Sequence, residues 1–475
     1  MPRSRFRRRS LFVLTILTVA GALGFLEPTR RANAVGDEAP VATPVEAPPT
    51  GDGDRLRLMI ETDAGGDPDD EQSLVRFLLY TSEWDVEGII ANRALAIDGE
   101  NLNRERTGLG IVRRAIEAYG QCQPALAEHD RRYPAAQYLL KRTVAGYDDT
   151  DDGVQLVIAA VDSPDPRPLW FCNWGTGHKG AAPSCLKRAL DQVLRQRGHA
   201  AYERFKDRLR LSSDDQFGEH TDKLSPPWKL WVDTFRPSLE HRWYHRFSAL
   251  TAKAGGFDLE RDVLTGHGPL GAMYPTNTTH PQKEGDSMTF LYLVPTGMND
   301  PNEPTWGSWA GRYGLRDDTG KRPYYWANAS DTWQGATSRD NTLLRWAAHL
   351  QNDFRARMDW CVKPRSEANH PPVARLGGPR RRTVESGTTV ELSAVGSQDT
   401  DGNALAYDWL YYPEPGSYRG EIAIAGAAAR EASFTAPDVA EPATIHIILT
   451  VADDGTPSLV RYQRLVITVT PRSAR

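Results

Sequence analysis

The chain has 475 residues, a formal net charge of -5 and a mean hydropathy of -0.53, which is length enough for one large domain and a smaller one. The acidic balance and an isoelectric point near 6.2 argue against a nucleic-acid partner. The 4 cysteines form no Cys-x-x-Cys pair, which argues against a zinc site or a redox motif.

Arg3, Arg5, Arg7, Arg8 and Arg9 precede the apolar run from Leu11 to Leu26, and Ala32-Asn33-Ala34 offers a small-residue cleavage site, so residues 1–34 read as a signal peptide. Arg8-Arg9-Ser10-Leu11-Phe12 resembles a twin-arginine signal. The apolar run is short for a membrane span. The mature protein is therefore expected to be periplasmic or extracellular, with no stable membrane association. Export permits disulfides, and Cys172 with Cys185 is the expected bridge. Residues 35–54, with Pro40, Pro44, Pro48 and Pro49, read as a disordered spacer.

Folded sequence begins at about Arg55. The apolar run Leu56 to Ile60 reads as a strand that ends in the acidic loop Glu61-Thr62-Asp63-Ala64-Gly65-Gly66-Asp67-Pro68-Asp69-Asp70-Glu71. Two glycines and a proline let the chain turn, and the spacing of Leu74, Phe77 and Leu78 predicts a helix from Asp69 to Tyr80. Carboxylates in a first helical turn complement the helix dipole, which is one sufficient reason for them. Their density gives another: carboxylates this close repel one another unless a cation or a proton neutralises some, and the loop holds no Lys or Arg. Ca²⁺, with Mg²⁺ as the alternative, is the expected partner, at the carboxyl end of a strand where open α/β sheets place their sites.

Thr62-Asp63-Ala64-Gly65 followed by Asp69-Asp70 resembles the Asp-Thr-Asp-Pro-Gly-x-Asp-Asp signature of inosine/uridine-type nucleoside hydrolases. The resemblance implies that Asp63 is a metal-bound general base, Asp69 a sugar-binding carboxylate and Asp70 a bidentate ligand of Ca²⁺. Two features depart from it: Glu61 stands where the first Asp does, and Gly66-Asp67-Pro68 replaces a single residue. The insertion resembles a divergent branch of bacterial exported proteins, described as cellulose-binding, that join a nucleoside-hydrolase-like domain to a C-terminal immunoglobulin-like one.

Beyond the loop, a strand at 86–91 and a helix at 104–119 continue an alternation that predicts a mostly parallel, Rossmann-type α/β sheet. Residues 153–161 fit either a helix or a strand. Leu169 to Asn173 reads as a buried strand running into Trp174-Gly175-Thr176, which is similar to the Trp-Gly-Gly turn of the divergent branch. Asn173 and Trp174 are substrate-binding candidates on that ground, and His178 reads as an exposed loop residue. A strand from Leu209 to Ser213 delivers Asp214 and Asp215, which either accept sugar hydroxyls or cap the next segment. Trp228, Trp231, Trp243, Tyr244 and His245 are expected to wall the pocket. Glu284-Gly285-Asp286, before the apolar run Met288 to Val294 read as a strand, resembles the divergent branch, as does Trp306 to Tyr313. Glu284 is assigned to substrate and Asp286 to the metal, with a simple turn as the alternative. A helix at 342–360 closes a domain over residues 55–362.

Asn369-His370-Pro371-Pro372 falls in a linker over 363–372, a break that predicts separable domains. Short β-patterned runs within 373–475, at Val390 to Ala394, Ala404 to Leu410, Ala443 to Ala452 and Tyr462 to Val469, predict an Ig-like β-sandwich. Asp399 and Asp401 are expected to cap turns. The 13 Trp and 17 Tyr suit stacking on sugar rings. These readings predict an exported, metal-dependent glycosyl hydrolase acting at an anomeric carbon of a nucleoside-like or other glycan substrate. The alternative is a non-catalytic protein that binds cellulose or a cell-wall glycan in the same pocket.

Overall fold

β1 (Leu56–Thr62) is buried along almost its whole length on both faces, as the centre of a parallel sheet requires. In the computed structural model, described for residues 55–97, 107–148, 150–177, 180–213, 230–234, 243–276, 282–315 and 325–472, β1 lies between β2 (Trp84–Ala91) and β4 (Leu169–Asn173). β3 (Thr143–Ala145), β5 (Leu209–Ser213), β6 (Trp231–Asp233), β7 (Tyr313–Leu315) and β8 (Tyr325–Asn328) complete the order β3-β2-β1-β4-β5-β6-β8-β7. All pairings are parallel except β7 with β8. The chain order changes direction between β1 and β4, the place at the strands' carboxyl ends where open α/β sheets form their binding crevice.

α1 (Pro68–Leu79) follows β1 and begins on a proline, whose fixed φ and missing N–H suit a first turn. α2 (Gly108–His129) starts on the Thr107 cap and continues through Pro124, beyond the end its periodicity predicts. After the short α3 (Ala136–Lys141), residues 153–161 lie in helix α4 (Asp152–Asp162). The run Met288 to Val294 is not a strand: a helix spans Ser287–Leu291, because a short apolar run fits a buried helix as well as a buried strand. Its Phe290 ring packs 5.6 Å from Phe77 and 5.9 Å from Trp174.

The two faces of the sheet bury separate cores. Leu58, Ile60, Trp170 and Cys172 belong to one, and Met59, Leu169, Phe171 and Cys185 to the other. The sheet backbone thus stands between Cys172 and Cys185, which excludes the expected bridge, and all four cysteines are free and buried. Trp84, Trp170, Trp231 and Trp309 are among the largest fully buried side chains, so these aromatics pack the core and do not stack on a ligand.

After the two-stranded sheet of β9 (Asp331–Trp333) and β10 (Ala336–Ser338), the C-terminal strands are β11 (Arg381–Glu385), β12 (Thr389–Ser393), β13 (Leu405–Tyr411), β14 (Glu431–Thr435), β15 (Ala443–Asp453) and β16 (Val460–Thr470). They form the sheets β11-β16-β15-β13 and β12-β14 around Trp409, Ile447 and Leu465. Asp399 caps a turn, accepting from the N–H groups of Asp401 and Asn403. The opposite face of β15 and β16 does not meet water: Ile448, Val460 and Tyr462, with Tyr412 just after β13, join the core beside β1 and α1. Among the described residues no helix is long and apolar enough to cross a membrane.

Candidate functional site

At the carboxyl end of β1 the Thr62 hydroxyl and the Asp63 N–H both donate to Asp70 Oδ1, which folds the acidic loop back onto the first turn of α1. The Gly65 N–H donates to Glu71 Oε1 at 3.2 Å in the same turn. Asp69 and Asp70 are thereby held in the interior at 1% and 2% exposure. Asp286 arrives from the loop before the Ser287–Leu291 helix. That loop is fastened to α1 by Gln72 Oε1, which accepts the N–H groups of Lys283 and Glu284 at 2.7 and 3.2 Å. One carboxylate oxygen from each of Asp69, Asp70 and Asp286 lies within 4.8 Å of the other two, and all three residues are buried.

Burial pushes Asp69 well above the usual carboxylate range, and the neighbouring Asp67 and Asp63 charges add to it while Lys283 opposes. Burial does the same to Asp70, followed by the charges of Asp286, Asp63 and Asp69. Asp69 Oδ2 is buried with no hydrogen-bond partner. A buried carboxylate oxygen left unmatched costs free energy that a cation would recover. A donor set made entirely of carboxylate oxygens fits a hard cation, Ca²⁺ or Mg²⁺.

Asp63 stands outside that trio. Its carboxylate is paired with the buried Arg93 at 2.7 Å, and it retains 13% side-chain exposure. Arg93 and Lys283 supply the positive charge that the loop lacks in sequence, Lys283 Nζ pairing with Asp67 at 2.6 Å. Neither was singled out by sequence reasoning. The available signal for Arg93 is its place two residues after the end of β2, alongside the end of β1.

Glu61 turns away from the crevice. It accepts hydrogen bonds from Asn92 Nδ2, Ser184 Oγ and the Cys185 N–H, pinning the start of α5 (Cys185–Arg197) to β1, and burial pushes its carboxyl up to about 7. At the end of β4, Asn173 is fully buried and shapes its own turn, accepting from the Gly175 N–H and donating to Thr176 Oγ1. The Trp174 indole is buried and donates to Thr289 Oγ1, so the side chain assigned to substrate belongs to the core. The backbone of this turn does reach the site: a Cβ on Gly175, whose φ is +136°, would stand 3.0 Å from Asp63 Oδ1.

Glu284 is likewise withdrawn from any ligand. Both of its oxygens are engaged in the interior by Arg76, Tyr274, Gln282 and Ser287. Trp231 lies in β6 and is buried, not exposed on a pocket wall. Asp214, Asp215, His178 and Trp228 lie outside the described residues, as do the side chains of Trp243, Tyr244 and His245.

A family model described as "Cellulose-binding Sde182, nucleoside hydrolase-like domain" matches residues 57–313. A second, "Cellulose-binding protein Sde0182, C-terminal domain", matches residues 389–469. Among solved structures, a nucleoside hydrolase-related hypothetical protein from Saccharophagus degradans, associated with carbohydrate metabolism, is 31% identical. The match covers 88% of this chain and 100% of that one at a TM-score of 0.68. The PKD domain from KIAA 1837 protein aligns with 22% of this chain and 92% of its own, at 18% identity and a TM-score of 0.18, too distant to bear on the fold. Among curated proteins none matches. With its large parallel-sheet domain and its C-terminal strands matched in the same order, the chain belongs to the cellulose-binding Sde182 family with a nucleoside hydrolase-like domain.

Proposed function

We propose that the crevice between β1 and β4 binds a sugar through a divalent cation, and that the protein is an exported, cation-dependent carbohydrate-binding protein with a cellulosic or other glycan ligand. The observation that carries this reading is the convergence of Asp69, Asp70 and Asp286, with Asp69 Oδ2 buried and unmatched. These three would hold the cation. When bound, Ca²⁺ takes about six to eight oxygens, and sugar hydroxyls can complete such a shell. Asp63, beside the trio, offers a carboxylate oxygen to a further hydroxyl, while Arg93 fixes its orientation. The description of the matched family and the carbohydrate association of the Saccharophagus degradans relative support a glycan as ligand. The Arg-rich, then apolar, N-terminal sequence supports export.

A second reading, hydrolysis at the anomeric carbon, is favoured by one observation. Asp63 keeps partial exposure beside the trio, and its bond to Arg93 uses Oδ2 and not Oδ1, so Oδ1 could take a proton from a water molecule. Against it stands Arg93, which occupies the other oxygen.

Isothermal titration of chelator-stripped mature protein, first with Ca²⁺ and then with cello-oligosaccharides, tests the primary reading. One bound Ca²⁺ per chain is expected, with glycan binding that disappears in EDTA. Glycan binding that is indifferent to EDTA would sink it. Turnover of nucleosides or oligosaccharides would establish the second reading in its place.

A further inference from the structure

A cavity of about 640 Å³ lies between the α/β domain and the sandwich, away from the acidic crevice. Its size is that of a small-molecule site, and domain junctions are a common place for one. Five arginines line it, Arg132, Arg357, Arg365, Arg380 and Arg461, against the two acids Glu83 and Asp130. The pairing of these charges is uneven. Arg132 is matched by Asp130 at 2.8 Å. Arg357 is matched by Glu83 and by Asp353, and Arg461 by Asp353 at 2.8 Å. No carboxylate among the described residues remains for Arg365 or Arg380. Arg365 gives one N–H to the His129 backbone oxygen at 2.8 Å, and the Arg380 side chain is exposed. These two come from opposite sides of the junction, Arg365 from the turn that leaves the α/β domain and Arg380 from the residue before β11.

We propose that this interdomain cavity is a second binding site, for a small organic anion carrying a carboxylate or a phosphate on a sugar-sized body. A guanidinium presents a planar fork that matches either group in a bidentate manner, which a lone ammonium cannot do. Two such forks without counter-charges, lining one open cleft from two domains, favour a negatively charged ligand over a neutral glycan. Carboxylate and phosphate share that chemistry, so a uronic acid and a sugar phosphate are both candidates.

The test is titration calorimetry of the full mature protein at low salt with digalacturonate, glucose 1-phosphate and neutral cellobiose, all in EDTA so that the acidic crevice does not contribute. At least one anion is expected to bind, and its identity assigns the source. Arg365→Gln and Arg380→Gln are each expected to weaken that binding about tenfold or more, the loss of a hydrogen bond to a charged group. Both residues are exposed, so the variants should keep the wild-type melting temperature. Arg380→Glu should abolish binding. Absence of binding by both anions, or anion affinity unchanged in the two glutamine variants, overturns the proposal, as does equal affinity for cellobiose. Because EDTA is present throughout, failure here leaves the cation-dependent site untouched.

Discussion

Arg93 holds Asp63 at two points, its Nε donating to the backbone oxygen at 3.0 Å and its Nη2 to the carboxylate at 2.7 Å. The inserted Gly66 makes this possible. A Cβ there would fall 2.3 Å from the guanidinium, so any other residue would require the guanidinium to shift. The lengthened loop and the arginine act together, and they place a fixed positive charge on Asp63, the carboxylate next to the converging trio.

Removing that charge should strengthen cation binding. At an effective dielectric of about 20, repulsion between a guanidinium and a cation several ångströms away exceeds about 1 kcal/mol. Arg93→Gln is therefore expected to raise Ca²⁺ affinity by roughly tenfold in calorimetric titration. Unchanged affinity would mean that the cation, if bound, does not sit beside Asp63.

The raised carboxyls predict how stability depends on pH. Asp69 and Asp70 are lifted above their unfolded value near 3.8, so the stability linked to their protons is present below that value and is lost as pH rises through the raised ones. Glu61 adds a loss between about 4.5 and about 7. In EDTA the melting temperature should fall as pH rises from about 4.5 to about 7. Ca²⁺ at a hundredfold excess over Kd should restore about 2.7 kcal/mol at the upper end. The Glu61 share should persist, since that carboxylate faces α5 and not the crevice. A melting temperature in EDTA that does not change with pH would contradict this assignment of charge.

Much of the frame was legible because its signals are local. β1 and its acidic loop follow from an apolar run meeting a block of carboxylates; Asp69 and Asp70 stand out as acids after a strand end, and Asp286 through the Glu-Gly-Asp run. What was not legible depends on partners distant in sequence. Glu284 and Asp286 are two residues apart and look alike, yet Arg76 on α1 captures the first and leaves the second to the crevice. Trp174 sits beside the site, but Phe77 and Phe290 provide an aromatic nest that draws its ring inward. The Cys172–Cys185 pairing failed because nearness in sequence says nothing about which face of a sheet each thiol occupies.

The sandwich reads as detachable from its proline-marked linker, yet it shares the main core. Tyr462 is fully buried, donates its N–H to Thr296 O at 3.0 Å and receives the Trp309 indole N–H on its hydroxyl. Truncation after Lys363 is expected to give insoluble protein. Tyr462→Ala alone should cost about 3 kcal/mol or more, the usual penalty for an aromatic cavity. A truncated chain that is soluble and melts cooperatively would show that these contacts are dispensable.

Asp63→Asn separates binding from catalysis. The amide is the same size as the carboxylate, so it fits the same space beside the Gly175 turn. Its oxygen can still accept from Arg93, keeping the loop in place, and its nitrogen can no longer take a proton from water. Under the binding reading, wild type turns over no glycoside, and Asp63→Asn holds cello-oligosaccharides within a few-fold of wild type in the presence of Ca²⁺. Under the hydrolytic reading, wild type shows turnover that the variant loses by roughly 10² to 10⁴, the usual contribution of a positioned general base. Asp70→Asn is the necessary companion. It removes charge from the converging trio itself, so both Ca²⁺ and glycan binding should fail in it. If Asp70→Asn binds both normally, neither reading of the crevice stands. If only Asp63→Asn loses glycan binding, Asp63 contacts the sugar directly and Arg93 serves to orient it.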